Sequence, residues 1–288
     1  MSDIRLSQLF ELEDLEAGLY RGSSWDLGYP ALYGGQVLGQ SLMAAYQTVP
    51  KERVIHSLHS YFLLPGDAKK PVVYDVEDVR DGRSFSTRRV KAIQNGRNIF
   101  YMTASFQIEE DGFSHQHANM PQCPSPEEVM PDIEHFENQD FKISERVKQA
   151  LSYHRPIDVR TVGDNHSFMA IKSKPERNLW LRGTDPHEGT LQMNQASLAY
   201  ASDYNFLSTA LQAHGLATQD RSLRMATIDH AMWFHKPFSF DEWLLYEMES
   251  PFSGNSRALV RGKIFDSSGK LVATSVQEGL IRQVSDKQ

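Results

Sequence analysis

Residues 35–49 read GQVLGQSLMAAYQTV, and residues 54–64, just beyond Pro50, read VIHSLHSYFLL. The first stretch is rich in small residues and apolar on most faces, the pattern of a buried helix, and Pro50 stops it. The second begins a run of strands. VVYDVEDVR (72–80) sets Val73, Asp75, Glu77 and Val79 against Val72, Tyr74 and Val76, and ends at Asp81-Gly82. SFSTRRVKAIQ (84–94) and RNIFYMTASFQ (97–107) flank Asn95-Gly96, the strongest short hairpin signal. The first half therefore reads as one buried helix followed by long antiparallel strands.

The same order recurs. GTLQMNQASLAYASDYNFLSTALQAHG (189–215) reads as one long helix closed by Gly215. RMATIDHAMWFHKPF, EWLLYEMES, SRALVRGKIF and KLVATSVQEGLIRQ read as strands. Phe62, Pro65, Tyr74, Glu77, Gly82, Ser84, Arg89 and Lys91 match Phe234, Pro237, Tyr246, Glu249, Gly254, Ser256, Arg261 and Lys263, and every pair has the same separation along the chain as Phe62 and Phe234. A gapless shared register marks an internal repeat. A sheet wrapping one long buried helix, doubled in tandem, is the double-hotdog architecture. This α+β fold has two long helices on one side of a continuous antiparallel sheet. The expected division is an N-terminal hotdog (1–110), a linker with short elements (111–176) and a C-terminal hotdog (177–288). Short helices are expected at Ile4–Glu16 and around Ile143–Tyr153.

Composition excludes several classes. The chain has 288 residues with 40% hydrophobic content, enough for packed cores. Thirty-seven acidic against 30 basic residues give a net charge of −7, which argues against nucleic-acid binding. Cys123 is the only cysteine, so there is no disulfide framework. The N-terminus lacks a secretory pattern, and the longest uncharged stretch, Leu27–Pro50, is broken by glycines and prolines. A cytoplasmic protein without a membrane segment is expected. G-x-S-x-G, G-x-G-x-x-G, P-loop and H-E-x-x-H motifs are absent. No metal site or cofactor is expected. His115 and His117, in the linker, have no partners at ligand spacing.

Asp203 is the unusual residue. In a continuous helix its stripe-mates are Ala196, Ala199, Leu207 and Ala210, so a carboxylate falls on an apolar face. Burying a charge is costly unless it is hydrogen-bonded. The equivalent first-half helix, Gln36–Val49, carries no acid. The fold therefore does not require one there, and chemistry is expected in the second half. Partners should come from facing strands. Thr227 falls on the pleat face of Met225, Ala231 and Trp233, and Gln277 on that of Leu271, Ala273 and Ile281. Asp229 and Glu278 are their rivals.

YGGQVLGQSLMAA, HSLHSYFLLPGD, FYMTASFQ, YASDYNFL, ATIDHAMWFHKPF and SVQEG together resemble the bacterial acyl-CoA thioesterase II (TesB-type) family. The likeness runs in order over nearly the whole chain and is weakest from Gly112 to Arg177. It implies hydrolysis of acyl-CoA to fatty acid and CoA, with an Asp, a Thr and a Gln as the catalytic set. By motif these are Asp203, Thr227 and Gln277. It also implies further association of the fused pair to a homodimer or homotetramer.

Thioester hydrolysis needs a water made nucleophilic and a carbonyl oxygen stabilised as it gains charge. Asp203 can accept the proton, and Thr227 and Gln277 can each donate and accept. Gly34, Gly35 and Gln36 open the first helix, where free N–H groups could face a substrate. Alternatively, the glycines serve only close packing. His56 and His59, three apart in a strand, should point to opposite faces. Lys69, Lys70, Arg80, Arg83, Arg88 and Arg89 could meet the phosphates of CoA. The competing readings are a non-catalytic acyl-CoA-binding protein and an enoyl-CoA hydratase of the same fold. The latter uses a His/Asp pair on the helix, and no His follows Asp203 before His214.

Overall fold

The computed structural model describes residues 5–138, 156–184 and 189–284. The first half comprises α1 (Leu6–Leu9), β1 (Glu13–Glu16), β2 (Leu19–Gly22), α2 (Gly34–Tyr46), β3 (Val54–Phe62), β4 (Val72–Asp81), β5 (Phe85–Gln94) and β6 (Arg97–Gln107). After α3 (Asp132–Asn138), the second half comprises β7 (Ile157–Thr161), β8 (Glu176–Gly183), α4 (Leu191–Ser202), β9 (Leu223–Thr227), β10 (Asp229–Phe234), β11 (Leu244–Gly254), β12 (Arg257–Asp266) and β13 (Leu271–Gln283).

These strands form a single sheet in the order β1-β2-β4-β5-β6-β3-β10-β13-β12-β11-β8-β7, with β9 beside β13. Read outward from the β3–β10 seam, the two halves have the same order. His59 pairs with Ala231 at that seam, and these two positions are equivalent in the repeat. The repeat extends to side chains. Arg89 reaches Glu77 at 3.0 Å and Arg261 reaches Glu249 at 2.7 Å, while Lys91–Asp75 and Lys263–Glu247 form the next rung in each half. Tyr74 and Tyr246 are both fully buried. The continuous antiparallel sheet with two helices against it matches the sequence reading.

Helices α2 and α4 pack directly on each other, antiparallel. Gly35 of α2 abuts the Tyr200 carbonyl and Gly39 abuts that of Ala196. A Cβ at Gly35 would overlap the Tyr200 oxygen, so at this position glycine permits the close approach. The N-terminus of α2 therefore meets the C-terminus of α4.

Three local expectations need correction. The opening segment is helical only over Leu6–Leu9, because Leu6, Leu9 and Phe10 enter the core and Glu13–Glu16 instead pair with β2 at the sheet edge. Residues 189–215 are not one helix. α4 ends at Ser202, with Asp203 as its C-cap; Asn205 adopts φ +57°, and a 3₁₀ helix follows from Leu207 to His214. Gly215 does close this segment, with φ +65°.

The third correction concerns strand faces. β3 bulges between Ile55 and Ser57, and this puts His56 and His59 on the same outer face. There His56 Nε2 lies 2.8 Å from Ser105 Oγ, and the His59 ring packs edge-on against Trp233. The equivalent irregularity in the second copy is Ile228, the repeat partner of His56, where β9 gives way to β10. It turns Thr227 inward while Asp229, Ala231 and Trp233 face outward. A bulge adds one residue and flips the face of everything beyond it. The short helix expected around Ile143–Tyr153 lies outside the described residues. No helix among the described residues is long and apolar enough to cross a membrane.

Candidate active site

Thr190 caps the start of α4, its hydroxyl accepting the Met193 N–H at 3.3 Å. Small residues, Ala196, Ala199 and Ala201, let the helix lie buried against α2 and the sheet. It ends where Asn205 turns left-handed, and this stop places the Asp203 carboxyl at the α2–α4 corner. An anion at the C-terminus of its own helix is disfavoured, whereas the α2 N-terminus opposite favours it. A Cβ at Gly34 would stand 2.6 Å from Asp203 Oδ2, so the missing side chain there is what admits the carboxylate. The Gly35 N–H donates to Asp203.

Strands supply the remaining partners. Thr227 Oγ1 donates to Asp203 Oδ1 at 3.3 Å, and Gln277 Nε2 donates to Thr227 Oγ1 at 3.0 Å. Gln277 also donates to the carboxylate. The three residues proposed from the sequence are thus brought together, with Gly34 and Gly35 beside them. Gln36 stands apart. Its side chain accepts from Trp25 N and donates to Ser23 O, and its own N–H bonds to Tyr33 O. It fastens residues 23–25 to α2 and offers nothing to Asp203.

Asp203 keeps partial exposure over the whole residue, but its carboxyl is enclosed. Desolvation pushes its pKa from 3.8 to about 6, against the hydrogen bonds from Thr227, Gln277 and Gly35, which favour the anion. The surroundings are aromatic. Tyr33 OH donates to Tyr200 O at 2.9 Å, and the two rings meet edge-on at 5.0 Å. The same two tyrosines, with Leu27, Tyr29, Ile157 and Tyr204, line a small recess.

The rivals lie elsewhere. Asp229 accepts the Glu278 N–H at 2.9 Å on the outer face, and Glu278 pairs with Arg257. Arg88 is 1% exposed and held by Asp78 and Asp81, so it cannot reach a phosphate. Arg89 is paired with Glu77, and Lys70 with Asp67.

Sequence reasoning missed His230. It is fully buried; its Nδ1 lies 2.7 Å from Gln277 Oε1 and its Nε2 3.0 Å from Ser202 Oγ. Desolvation lowers its pKa to about 4, opposed only by the Gln277 contact, so it is neutral. A signal was present. His230 alternates with the buried Met232 and Phe234, and its repeat partner in the first half is Leu58.

The chain is similar to known proteins over nearly its whole length. A family model described as acyl-CoA thioesterase matches residues 145–280, and one described as acyl-CoA thioesterase N-terminal domain matches residues 22–107. The chain is 40% identical to acyl-CoA thioesterase 2 of Haemophilus influenzae, over 98% of this chain and 99% of that one. It is 39% identical to human acyl-coenzyme A thioesterase 8, over 99% and 92%. The crystal structure of acyl-CoA thioesterase II TesB2 from Mycobacterium marinum superposes with a TM-score of 0.79 at 40% identity, covering 98% and 99% of the two chains. A hot-dog-fold protein from Alicyclobacillus acidocaldarius, 20% identical, covers 97% and 98% with a TM-score of 0.77 and supports the fold alone. The family likeness read from the motifs holds over the full chain, and the protein belongs to the acyl-CoA thioesterases, a family of thioester hydrolases.

Proposed function

We propose that the chain hydrolyses fatty acyl-CoA to the free fatty acid and CoA, using one water activated by Asp203, Thr227 and Gln277. The observation that carries this reading is the linked set itself: a carboxylate held near pKa 6, bonded to a hydroxyl that is bonded to an amide. A general base works best when its pKa lies near the working pH. Asp203 takes one proton from water, and the oxygen attacks the thioester carbonyl carbon. Collapse of the tetrahedral intermediate breaks the C–S bond, and the proton passes to the departing CoA sulfur. A thiolate leaves readily, its conjugate acid having a pKa of about 8.5.

Gly35 N–H is directed at Asp203, so its part is to hold the base. The hydratase alternative finds no support in the geometry, because His230, which bonds to Gln277, has both ring nitrogens engaged. The expected dimer or tetramer rests on analogy with the family, and a monomer in sedimentation equilibrium would overturn it.

The test is release of free thiol from acyl-CoAs of short to long chain, with Asp203→Ala alongside. Release by wild type that falls by about 10² or more in the folded variant supports the reading. Stable acyl-CoA binding without thiol release would refute it in favour of a binding protein. Oxygen-18 from water appearing in the Asp203 carboxyl after a single turnover would replace the water route with direct carboxylate attack.

A further inference from the structure

The geometry points to His230 as a positioning residue, one that fixes which end of the Gln277 amide faces Thr227 and Asp203. The inference rests on the reading of Asp203, Thr227 and Gln277 as the catalytic set.

Proton counting carries the argument. Asp203 is an acceptor when ionised, so Thr227 gives it the hydroxyl proton across 3.3 Å. Thr227 Oγ1 must then receive a proton from its other neighbour, and Gln277 Nε2 lies 3.0 Å away. The same amide therefore turns Oε1 toward His230 Nδ1, at 2.7 Å. An oxygen can only accept there, so neutral His230 carries its proton on Nδ1, and Nε2 faces Ser202 Oγ at 3.0 Å, whose one hydroxyl proton is shared between Nε2 and the Ala199 carbonyl at 2.9 Å. Flipping the amide end for end would set Nε2 against the Nδ1 proton and remove the donor from Thr227. The imidazole is itself held. Ser60 Oγ donates to the His230 backbone oxygen at 2.8 Å, and the Phe206 ring packs against the imidazole. Tyr246 OH donates to Ser202 O.

The first half is the control. At the repeat positions of Thr227 and His230 stand Ile55 and Leu58, and Leu58 pairs with Ala104 where His230 meets Gln277. Ile55, Leu58 and Ala104 are all core residues. The fold is thus built at this point from apolar side chains in one copy, and the polar chain in the other is not a folding requirement. A buried imidazole with both nitrogens bonded is retained for what it holds in place.

The experiment compares two polar isosteres. His230→Asn sets its amide near the Nδ1 position and can still donate to Gln277. His230→Gln reaches toward the Nε2 position, keeping Ser202 and leaving Gln277 without its donor. With the acyl-CoA that wild type turns over fastest, His230→Asn should keep kcat within about fivefold. His230→Gln and His230→Leu should lose about 10- to 100-fold in kcat with little change in KM, the scale of one lost buried hydrogen-bond partner. The acid limb of the pH–rate profile should move upward in these two, because the Gln277 bond that favours ionised Asp203 is weakened. On a Gln277→Ala background, His230→Leu should cost less than about twofold more. Equal activity of the Asn and Gln variants, or an undiminished His230→Leu effect on Gln277→Ala, would overturn the inference. If Gln277→Ala alone were as active as wild type, the catalytic reading would fall first and this one with it.

Discussion

Replacing Asp203 by Asn should destroy activity and, as pH rises, make the variant progressively more stable relative to wild type. Burial raises the Asp203 pKa from 3.8 to about 6. Below pH 3.8 the group is protonated in both folded and unfolded chains and contributes nothing to pH dependence. Between the two values the folded protein binds more protons than the unfolded one, so wild-type stability falls as pH rises. Above pH 6 the penalty is complete. At about 1.36 kcal/mol per pKa unit it amounts to at most about 3 kcal/mol, and the partial exposure of Asp203 puts the working range at about 1–3 kcal/mol. An asparagine has no such titration. Its amide nitrogen would face the Gly35 and Gln277 donors, which adds a constant penalty but no slope. Urea unfolding of both proteins between pH 4.5 and 8 separates the two. The stability difference should drift by about 1–3 kcal/mol in the variant's favour across that window, whatever its offset. A flat difference would refute the buried-carboxylate argument. A drift the other way would mean that a positive charge stabilises the anion.

Further outcomes follow from the same geometry. The kcat/KM of wild type should fall tenfold per pH unit below about pH 6, where Asp203 takes up its proton, and a profile flat to pH 5 would remove it as the base. Gly34→Ala and Gly35→Ala should separate. The first methyl presses on the Asp203 carboxylate and should lower kcat about tenfold or more with modest loss of melting temperature. The second collides with the Tyr200 backbone and should destabilise the fold by several kcal/mol. Arg177→Met should lower both stability, by about 1–3 kcal/mol, and kcat. The buried guanidinium bonds to Asn165 O, Asn205 O and Ser208 Oγ and so secures the turn that follows Asp203; unchanged kcat would show the turn holds without it.

What the sequence disclosed, and what it hid, divides along physical lines. Strands with period-two alternation and Gly-rich turns were legible, and the repeat was legible because paired charges recur on the same rungs, Glu77–Arg89 and Glu249–Arg261. Asp203 stood out as an acid on an apolar stripe that the first helix lacks. That stripe does not run on through Asp203, since the helix stops at Ser202 and the carboxyl is a cap residue at a helix–helix corner. Periodicity cannot reveal a single left-handed residue such as Asn205. Nor can it reveal a bulge, and the extra residues at His56 and Ile228 put His56 on the face of His59 and part Thr227, which does point inward, from its expected face-mates Ala231 and Trp233. Gln36 sits next to glycines that do face Asp203, but its direction around the helix axis depends on where residues 23–25 dock.

The duplication also explains why one corner holds a buried carboxylate and its repeat counterpart does not. Antiparallel α2 and α4 create two corners, each with the start of one helix against the end of the other. At the first, Gly34 and Gly35 leave room, and Asp203 occupies it with Thr227 and Gln277. At the second, Tyr46 from the end of α2 donates to Gln195 Oε1 of α4 and accepts from Ile55 N, while Gln195 Nε2 donates to Ile55 O. Every polar atom in that closed ring is answered by the protein, and the Phe106 ring packs edge-on against Tyr46. Ile55 stands there in the place of Thr227. A closed polar ring stabilises, whereas a carboxylate held near pKa 6 destabilises, and a fold made of two copies can carry the second because it keeps the first. Neither half holds this corner alone, because the carboxylate comes from the end of the second helix and the backbone that receives it comes from the first.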